Sequence, residues 1–327
     1  MSDATKDNLP AVLITGADGY IGRATVQALS DEGAGRTVVA TDLREVPEQR
    51  RLPGITYAAC DIRSPELADL LKEHEVEVAV HLAAVVNPGK DPDREFLHSV
   101  EVGGTENLLQ ACIATGVKQV IITSSGAAYG YYAENNAWLT EDDPIRGNEE
   151  FAYSDHKRQV EEMLATYRDE HPELGQLIFR PGTILGATAK NQITDLFDKP
   201  YMLGLRGVDS PFVLIWDQDV VGAVMRGIHT GATGIYNLAG DGVLSMQQMA
   251  RIMGKPYVQV PVPLISAGLT LGQQLGLTQY GPEQLRFLRY RPVLHNRLLK
   301  EEFGYYPQKN TRQVFDLFLE ARRHGQG

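Results

Sequence analysis

The sequence predicts a doubly wound α/β fold, with helices on both faces of a parallel sheet and a smaller, interleaved C-terminal lobe. Three observations support this fold class. The first half alternates short apolar runs with longer helical patterns, the runs are apolar throughout, and the first run ends in a glycine-rich turn that opens a helix. Apolar strands that are each followed by a helix are typical of a parallel sheet buried on both faces.

The regular alternation predicts six strands before residue 181 and a helix after most of them. The strands are predicted at 11–15, 37–41, 55–59, 76–82, 119–123 and 176–180. The helices are predicted at 21–32, 65–74, 95–115 and 153–170. Ser64 has an oxygen that can cap the second helix, and Pro65 suits the first turn of that helix.

The alternation breaks after Pro181, where glycine and proline become frequent. Two further strands, at 212–215 and 235–238, are expected to return to the sheet. The predicted main domain is therefore 11–185 with about 211–240, and the predicted substrate lobe is 186–210 with about 241–327. Ligands of open α/β sheets bind beyond the carboxyl ends of the strands, so we expect the lobe to close over that edge.

The composition narrows the class of protein. The chain has 327 residues with 43% hydrophobic and 22% charged residues, which suits a globular protein with a sizeable core. A formal net charge of −11 argues against a nucleic-acid-binding surface. The two cysteines, Cys60 and Cys112, suggest neither a disulfide framework nor a four-ligand zinc site, and no metal is predicted.

The beginning of the chain is polar, and we expect residues 1–10 to be disordered. They lack the apolar run of a signal peptide, and no stretch of about 18 apolar residues predicts a membrane span. The apolar segment 261–277 contains glycine, proline and glutamine, so it is interpreted as a pocket wall or partner surface. These features predict a cytoplasmic protein without membrane contact.

A glycine-rich turn follows the first predicted strand, with Gly16, Gly19 and Gly22 at three-residue spacing. Glycines allow a tight turn and a close approach of the backbone to a pyrophosphate. The following helix N-terminus offers free N–H groups and a positive dipole end. Asp42 ends the second strand, where a carboxylate accepts hydrogen bonds from the adenosine ribose and repels a 2′-phosphate. The combination predicts a Rossmann domain that prefers NAD to NADP, and the positive charge of nearby Arg44 opposes this preference.

Tyr153 and Lys157 lie one turn apart on a predicted helix, so they share a face. The ordinary pKa of a phenol, about 10, is too high for a base at neutral pH. A neighbouring ammonium and the positive nicotinamide favour the phenolate. Ser125, at the end of the fifth predicted strand, can hydrogen-bond a substrate oxygen. The three residues together predict proton transfer at a hydroxyl or carbonyl group.

With these motifs on one chain, the sequence resembles the extended short-chain dehydrogenases, the NAD-dependent epimerase/dehydratase group, from about residue 11 to 320. The resemblance implies that Tyr153 is the acid/base, that Lys157 holds the ribose and favours the phenolate, and that Ser125 orients the substrate oxygen. It also implies an NAD cofactor. The residues implied to bind it are Gly16, Gly19, Tyr20, Ile21, Gly22, Asp42, Asp61, Ile62, Leu82, Ala83, Ala84, Thr123, Tyr153, Lys157 and Pro181.

Four departures from the family pattern narrow the reaction. Gly126-Ala127 follows Ser125 where sugar-nucleotide dehydratases have an Asp-Glu pair, which argues against elimination. Thr183 replaces an asparagine that helps bind the diphosphate in epimerases. Ser210-Pro211 stands where those enzymes have an arginine. Glu101 replaces an asparagine near the active site, and this replacement is expected to change the water network or the proton relay there.

The missing diphosphate contacts and an apolar lobe favour reversible hydride transfer at a secondary alcohol or ketone. Ser125, Thr183 and Tyr201 are the candidate substrate-binding residues. The alternatives are a nucleotide-sugar epimerase and, in another class, a non-catalytic NAD-binding sensor. Four arginines that are able to replace the missing cation are expected to be surface charge instead: Arg206, Arg286, Arg289 and Arg291. The resemblance further implies a homodimer through a four-helix bundle built from helices 95–115 and 153–170.

Overall fold

The computed structural model describes residues 9–33, 35–85, 93–275, 281 and 284–324. The predicted disordered N-terminus therefore lies outside the described residues up to residue 8, as do parts of the predicted lobe between 276 and 283. No helix in the described ranges is long and apolar enough to cross a membrane.

Seven parallel strands form the central sheet: β1 Val12–Thr15, β2 Val38–Asp42, β3 Thr56–Ala59, β4 Val78–His81, β5 Gln119–Thr123, β6 Gly175–Pro181 and β11 Gly234–Leu238. Their spatial order is β11-β6-β5-β4-β1-β2-β3. The order reverses direction between β1 and β4, which is the place where ligands bind in doubly wound folds. The predicted fold class is confirmed, and all six early strands lie in this sheet.

Within the described residues, twelve α-helices surround the sheet and build the lobe: α1 Tyr20–Glu32, α2 Glu66–Glu73, α3 Arg94–His98, α4 Gly104–Thr115, α5 Ala152–Glu170, α6 Gln192–Phe197, α7 Asp217–Thr230, α8 Met246–Ile252, α9 Val262–Gln274, α10 Gln284–Arg289, α11 Arg297–Glu301 and α12 Thr311–His324. Alternate residues of β1 belong to different cores. Val12 and Ile14 pack with α1 and α7 on one face of the sheet. Leu13 packs with α2, α4 and α5 on the other face. Each face of the sheet thus has its own apolar core.

The predicted helix 95–115 differs from the structure, because a π-helical turn at Ser99–Gly103 separates α3 from α4. This turn is buried at Glu101 and Val102. π-turns of this kind are frequent at functional sites. Here the irregular turn presents the Glu101 carboxylate to Lys157 of α5 at 3.0 Å.

The prediction that strand 212–215 returns to the main sheet is wrong. The segment forms two short strands, β9 Pro211–Phe212 and β10 Leu214–Trp216. β10 pairs with β7 Thr183–Leu185, and β9 pairs with β12 Leu244–Ser245, so both outer pairs lie beside the sheet. The remaining pair joins β8 Met202–Leu205 to β13 Tyr257–Val260. The apolar residues that suggested one strand are used in small pairings that support the lobe core.

Candidate functional site

The glycine turn between β1 and α1 leaves no room for side chains. Gly16 has φ +68°, and a Cβ on it would lie 2.6 Å from the backbone of Ala83 at the end of β4. A Cβ on Gly22 would lie 2.0 Å from the Gly16 carbonyl oxygen, and one on Gly19 would lie 3.0 Å from it. The turn is therefore closed upon itself and upon Ala83, as a backbone cradle for a pyrophosphate requires.

The carboxylate of Asp42 ties the end of β2 to this turn. It accepts hydrogen bonds from the backbone N–H of Asp18 at 2.9 Å and of Leu43 at 2.8 Å. Asp18 in turn receives a bidentate ion pair from Arg50. This places Asp42 at the strand end where the ribose of a dinucleotide is bound in this fold. The Asp18 carboxylate thereby engages the Arg50 guanidinium, which would otherwise be free for a 2′-phosphate.

A buried histidine connects the glycine turn to α4. His81 Nδ1 lies 2.7 Å from Thr15 Oγ1, and Nε2 lies 3.2 Å from Thr105 Oγ1. Thr105 commits its one hydroxyl proton to the carbonyl of Glu101 at 2.6 Å, so the ring proton of His81 lies on Nε2. Burial first, and Lys157 second, lower the pKa of His81 to about 4, and the ring is neutral at physiological pH.

Asp61 and Ile62, which the resemblance implies as NAD-binding residues, lie after β3. Arg63 holds the Asp61 carboxylate through several hydrogen bonds and, as the largest cause, lowers its pKa. The Ile62 side chain fills the space beside Gly104, where a Cβ would lie 2.4 Å from Ile62 Cδ1. Asn107 donates to the Ile62 carbonyl at 2.7 Å and fixes this loop against α4.

Ser125 begins a short 3-10 turn at the end of β5. Its Oγ accepts a hydrogen bond from the backbone N–H of Ala127 at 3.1 Å, which leaves the hydroxyl proton for another acceptor. Ser154 donates to the Ala127 carbonyl at 2.7 Å, so the turn is fixed to the first residues of α5. This contact brings the Ser125 turn together with the helix that carries Tyr153.

Tyr153 and Lys157 lie one turn apart on α5, as predicted, but in different environments. The Tyr153 side chain is 37% exposed, whereas Lys157 is 5% exposed. Lys157 Nζ lies 5.7 Å from the centroid of the Tyr153 ring and 3.5 Å from the carbonyl oxygen of Thr123. The arrangement presents a phenol to the outside with a buried ammonium beside it, at the carboxyl edge of the sheet.

The buried ammonium has a buried counter-ion. Glu101 Oε2 lies 3.0 Å from Lys157 Nζ. Glu101 Oε1 accepts a hydrogen bond from the backbone N–H of Val85 at 2.6 Å. Burial opposes both charges, but the attraction between them outweighs it. The pKa of Glu101 is consequently lowered and the pKa of Lys157 is raised. The sequence singled out Glu101 as a departure from the family pattern, but it did not predict this pairing.

A second buried ion pair supports the site from behind, and sequence reasoning missed it. Arg180, in the segment expected to lead into the lobe, binds Glu161 of α5 with Nη2 at 2.6 Å. Glu161 also accepts a hydrogen bond from Ser124 Oγ at 2.5 Å, and Arg180 donates a hydrogen bond to Tyr129 Oη at 2.8 Å. β6, which ends at the buried Pro181, is thereby locked to α5 and to the Ser125 turn.

Tyr20 connects the cofactor turn to the lobe. Its hydroxyl donates to Asp217 at 2.6 Å, at the start of α7, and its ring packs against the lobe core. Ile21 packs against the sheet core instead. Tyr201 is 48% exposed, and no hydrogen bond or ring contact in the described ranges joins it to Ser125 or Thr183. The role of Tyr201 as a substrate contact stays a prediction.

Arg291 corrects the expectation that the lobe arginines are surface charge. Its guanidinium lies between the rings of Phe212 and Phe287, with Cζ 3.9 and 4.3 Å from their centroids. Nη2 donates to Thr183 Oγ1 at 3.2 Å, while Nη1 is buried and has no acceptor among the described residues. Burial lowers the pKa of Arg291 to about 10, so the group stays charged at neutral pH.

Tyr131 interacts electrostatically with both this arginine and the Tyr153 phenol. Its ring makes edge contacts with Phe151 at 5.6 Å and Phe287 at 5.2 Å. Burial raises the pKa of Tyr131 to about 12, with Arg291 and Tyr153 acting in opposite directions. The cation of the lobe and the phenol of α5 therefore share one aromatic neighbour.

Curated relatives cover different parts of the chain. An uncharacterised protein of Mycobacterium tuberculosis (strain ATCC 25618 / H37Rv) is 26% identical over 95% of this chain and 84% of its own length. A UDP-glucose 4-epimerase of Azospirillum brasilense is 30% identical over 57% of this chain and 52% of its own length. A sterol-4-alpha-carboxylate 3-dehydrogenase (decarboxylating) of Saccharomyces cerevisiae is 27% identical over 54% and 52%. The last two match about half of their own lengths.

Among solved structures, the protein MoeE5 in complex with UDP-glucuronic acid and NAD has a TM-score of 0.72 and 22% identity. The match covers 96% of this chain and 99% of the MoeE5 chain, so the fold is shared over its full length. The family model of the NAD dependent epimerase/dehydratase family matches residues 12–199, which include the glycine turn, Ser125, Tyr153 and Lys157. The chain belongs to the NAD dependent epimerase/dehydratase family.

Proposed function

We propose that this protein is an NAD-dependent oxidoreductase that transfers hydride reversibly at a secondary alcohol or ketone. The observation that carries the proposal is the half-exposed phenol of Tyr153 beside the buried ammonium of Lys157. Both lie at the same sheet edge as a glycine turn with no room for side chains. Family membership and the NAD held by a solved structural relative support the choice of cofactor.

The residues present fit the cofactor. The cradle of Gly16, Gly22 and Ala83 suits the pyrophosphate, and Asp42 suits the adenosine ribose. When bound, NAD supplies the hydride chemistry through its nicotinamide ring. The protein residues manage the proton and the substrate oxygen.

In the proposed mechanism Tyr153 takes the hydroxyl proton during oxidation and returns it during reduction. Lys157 stabilises the phenolate by its charge. Ser125 donates its free hydroxyl proton to the substrate oxygen and orients it. Gly126-Ala127 follows Ser125, so the turn lacks the acidic pair that elimination requires, and a Cβ on the buried Gly126 would lie in tight contact, 3.0 Å, with the Leu294 side chain.

A nucleotide-sugar epimerase is the second candidate, and Arg291 favours it. A guanidinium with a buried, unpartnered N–H beside Thr183 is suited to an anionic group of a substrate. The names of the Azospirillum relative and of the MoeE5 complex add support. The same cation also suits a carboxylate-bearing alcohol, as the name of the yeast relative suggests.

The two candidates differ in redox balance, and one experiment separates them. Purified protein with NAD is screened by NADH absorbance against secondary alcohols with and without a carboxylate, and against UDP-sugars. We expect NADH to accumulate with a secondary alcohol. Turnover of a UDP-sugar without net NADH change would replace the oxidoreductase proposal with the epimerase.

Replacing Arg291 by methionine tests whether the lobe binds an anion. The variant keeps an apolar side chain between Phe212 and Phe287 but removes the donors. For an anionic substrate we expect kcat/KM to fall about 10- to 100-fold, mainly through KM, because a charged hydrogen bond is worth about 1.5–3 kcal/mol. Arg289→Met, on an exposed neighbour, is the matched control. An unchanged KM for the best substrate would exclude Arg291 as an anion contact.

The oligomeric state stays a prediction. α4 and α5 contact each other within the chain. A homodimer through a four-helix bundle would add the same two helices of a second copy. Sedimentation of the purified protein measures whether the dimer forms.

A further inference from the structure

We propose that Glu101 is a positioning residue that keeps Lys157 charged and in place beside Tyr153. This inference rests on the proposed function, because it assigns a purpose to the charge of Lys157. The Glu101 side chain uses both oxygens, Oε2 for Lys157 Nζ at 3.0 Å and Oε1 for the Val85 backbone N–H at 2.6 Å. The two side chains of the pair are 4% and 6% exposed.

The contact joins three elements of the fold. Glu101 belongs to the π-helical turn, Lys157 to α5, and Val85 to the segment after β4 that also carries Ala83 and Ala84. The irregular turn carries a carboxylate where the family pattern has an asparagine. A neutral amide can accept a hydrogen bond at this position, but it cannot balance a buried ammonium.

Other charged groups around the pair do not replace Glu101. Glu161 acts on Lys157 from the same helix, but it is committed to the ion pair with Arg180 at 2.6 Å. His81 faces the pair from β4 and is neutral, and Tyr153 lies one turn away on α5. His156, which faces Glu101, has a pKa lowered chiefly by burial. Among the described residues, Glu101 is the carboxylate within ion-pair distance of Nζ.

Without the Glu101 carboxylate, burial is expected to lower the pKa of Lys157, so that the amine loses its proton more easily. Burial is the largest influence on this amine and favours its neutral form, and buried unpaired lysines lose several pKa units. A neutral amine no longer stabilises the phenolate that Tyr153 becomes when it donates a proton. The loss of activity should therefore grow as the pH rises, whereas a packing defect reduces activity equally at every pH.

The first arm of the test measures ketone reduction by Glu101→Gln, which retains an oxygen for Val85. In this direction Tyr153 acts as an acid, so low pH does not remove its function. The ratio of variant to wild-type kcat is expected to fall about tenfold or more from about pH 5.5 to about pH 9.5. Glu101→Asp keeps the charge and should restore a flat ratio. Glu162→Gln, an exposed carboxylate on α5, is the control for charge removal.

The second arm needs no substrate and follows thermal unfolding of the cofactor-free protein. In Glu101→Gln the folded state should bind fewer protons than the unfolded state over the range where Lys157 has lost its proton. The stability of the variant then rises with pH relative to wild type, so the Tm deficit shrinks between about pH 6 and about pH 10. A deficit independent of pH would show that the carboxylate does not control the charge of Lys157.

The two arms separate failure of this proposal from failure of the proposed function. If no ketone is reduced but the Tm deficit shrinks with pH, the ion-pair inference stands and the function fails. If reduction occurs but the kcat ratio stays flat in Glu101→Gln, the function stands and Glu101 is not the positioning residue.

Discussion

The Tyr153→Phe variant is expected to lose about 10²- to 10⁴-fold in kcat, the range that a positioned general acid or base contributes. The change removes one oxygen and leaves the ring beside Lys157, so neither packing nor the buried ion pair is altered. Since Tyr153 is 37% exposed, the folded structure does not depend on its hydroxyl. The loss should therefore appear in turnover and not in Tm or in NADH affinity.

The measurement combines initial rates on the substrate found by the NADH screen with the NADH dissociation constant from fluorescence. Tyr306→Phe makes the same chemical change at a side chain that is 68% exposed, and it should behave as wild type. Full activity in Tyr153→Phe would disprove the role assigned to this phenol. A parallel loss of NADH binding would indicate that the hydroxyl belongs to the cofactor site.

Residues that are close in sequence account for the parts of the fold and site that were predicted well. The strand–turn–helix unit around Gly16 and the one-turn spacing of Tyr153 and Lys157 depend on local geometry, so a pattern of a few residues identifies them. The repeated alternation of strand and helix predicted the parallel sheet with helices on both faces, but not the order of its strands. The shared helix face of Tyr153 and Lys157 could be predicted without information about the rest of the chain.

The features that were missed depend on distant residues. Arg291 meets Thr183 across 108 positions, and the aromatic rings that enclose it come from β9 and α10. Its sequence neighbours resemble an ordinary charged surface. The π-turn at Ser99–Gly103 leaves the helical pattern of 95–115 intact, so periodicity did not reveal it. The burial of Glu101 became visible only when α5 was packed against that turn.

Substitution of Gly22 by alanine is expected to remove NAD binding, with the dissociation constant rising by about 100-fold or more, since each about 1.4 kcal/mol is a factor of ten. The added Cβ would lie 2.0 Å from the Gly16 carbonyl oxygen and 2.9 Å from Ala17 Cα. Gly16 cannot retreat, because it is itself in contact range of the Ala83 backbone. The turn must therefore open, and its backbone N–H groups would no longer point towards the pyrophosphate.

A graded series makes this prediction specific to the turn. Gly19→Ala would place its Cβ 3.0 Å from the same oxygen, so its effect should be smaller than that of Gly22→Ala. Gly268→Ala adds a methyl group in α9 with nothing within 4 Å, and it should leave NADH affinity unchanged. Titration of NADH fluorescence, with Tm as the check on folding, gives the order of the three variants in NADH affinity.

If a folded Gly22→Ala protein bound NADH as wild type does, the cofactor would have to lie elsewhere. The clash at Gly16 would then have no functional meaning, and the positions of Tyr153 and Lys157 relative to a hydride donor would lose their basis.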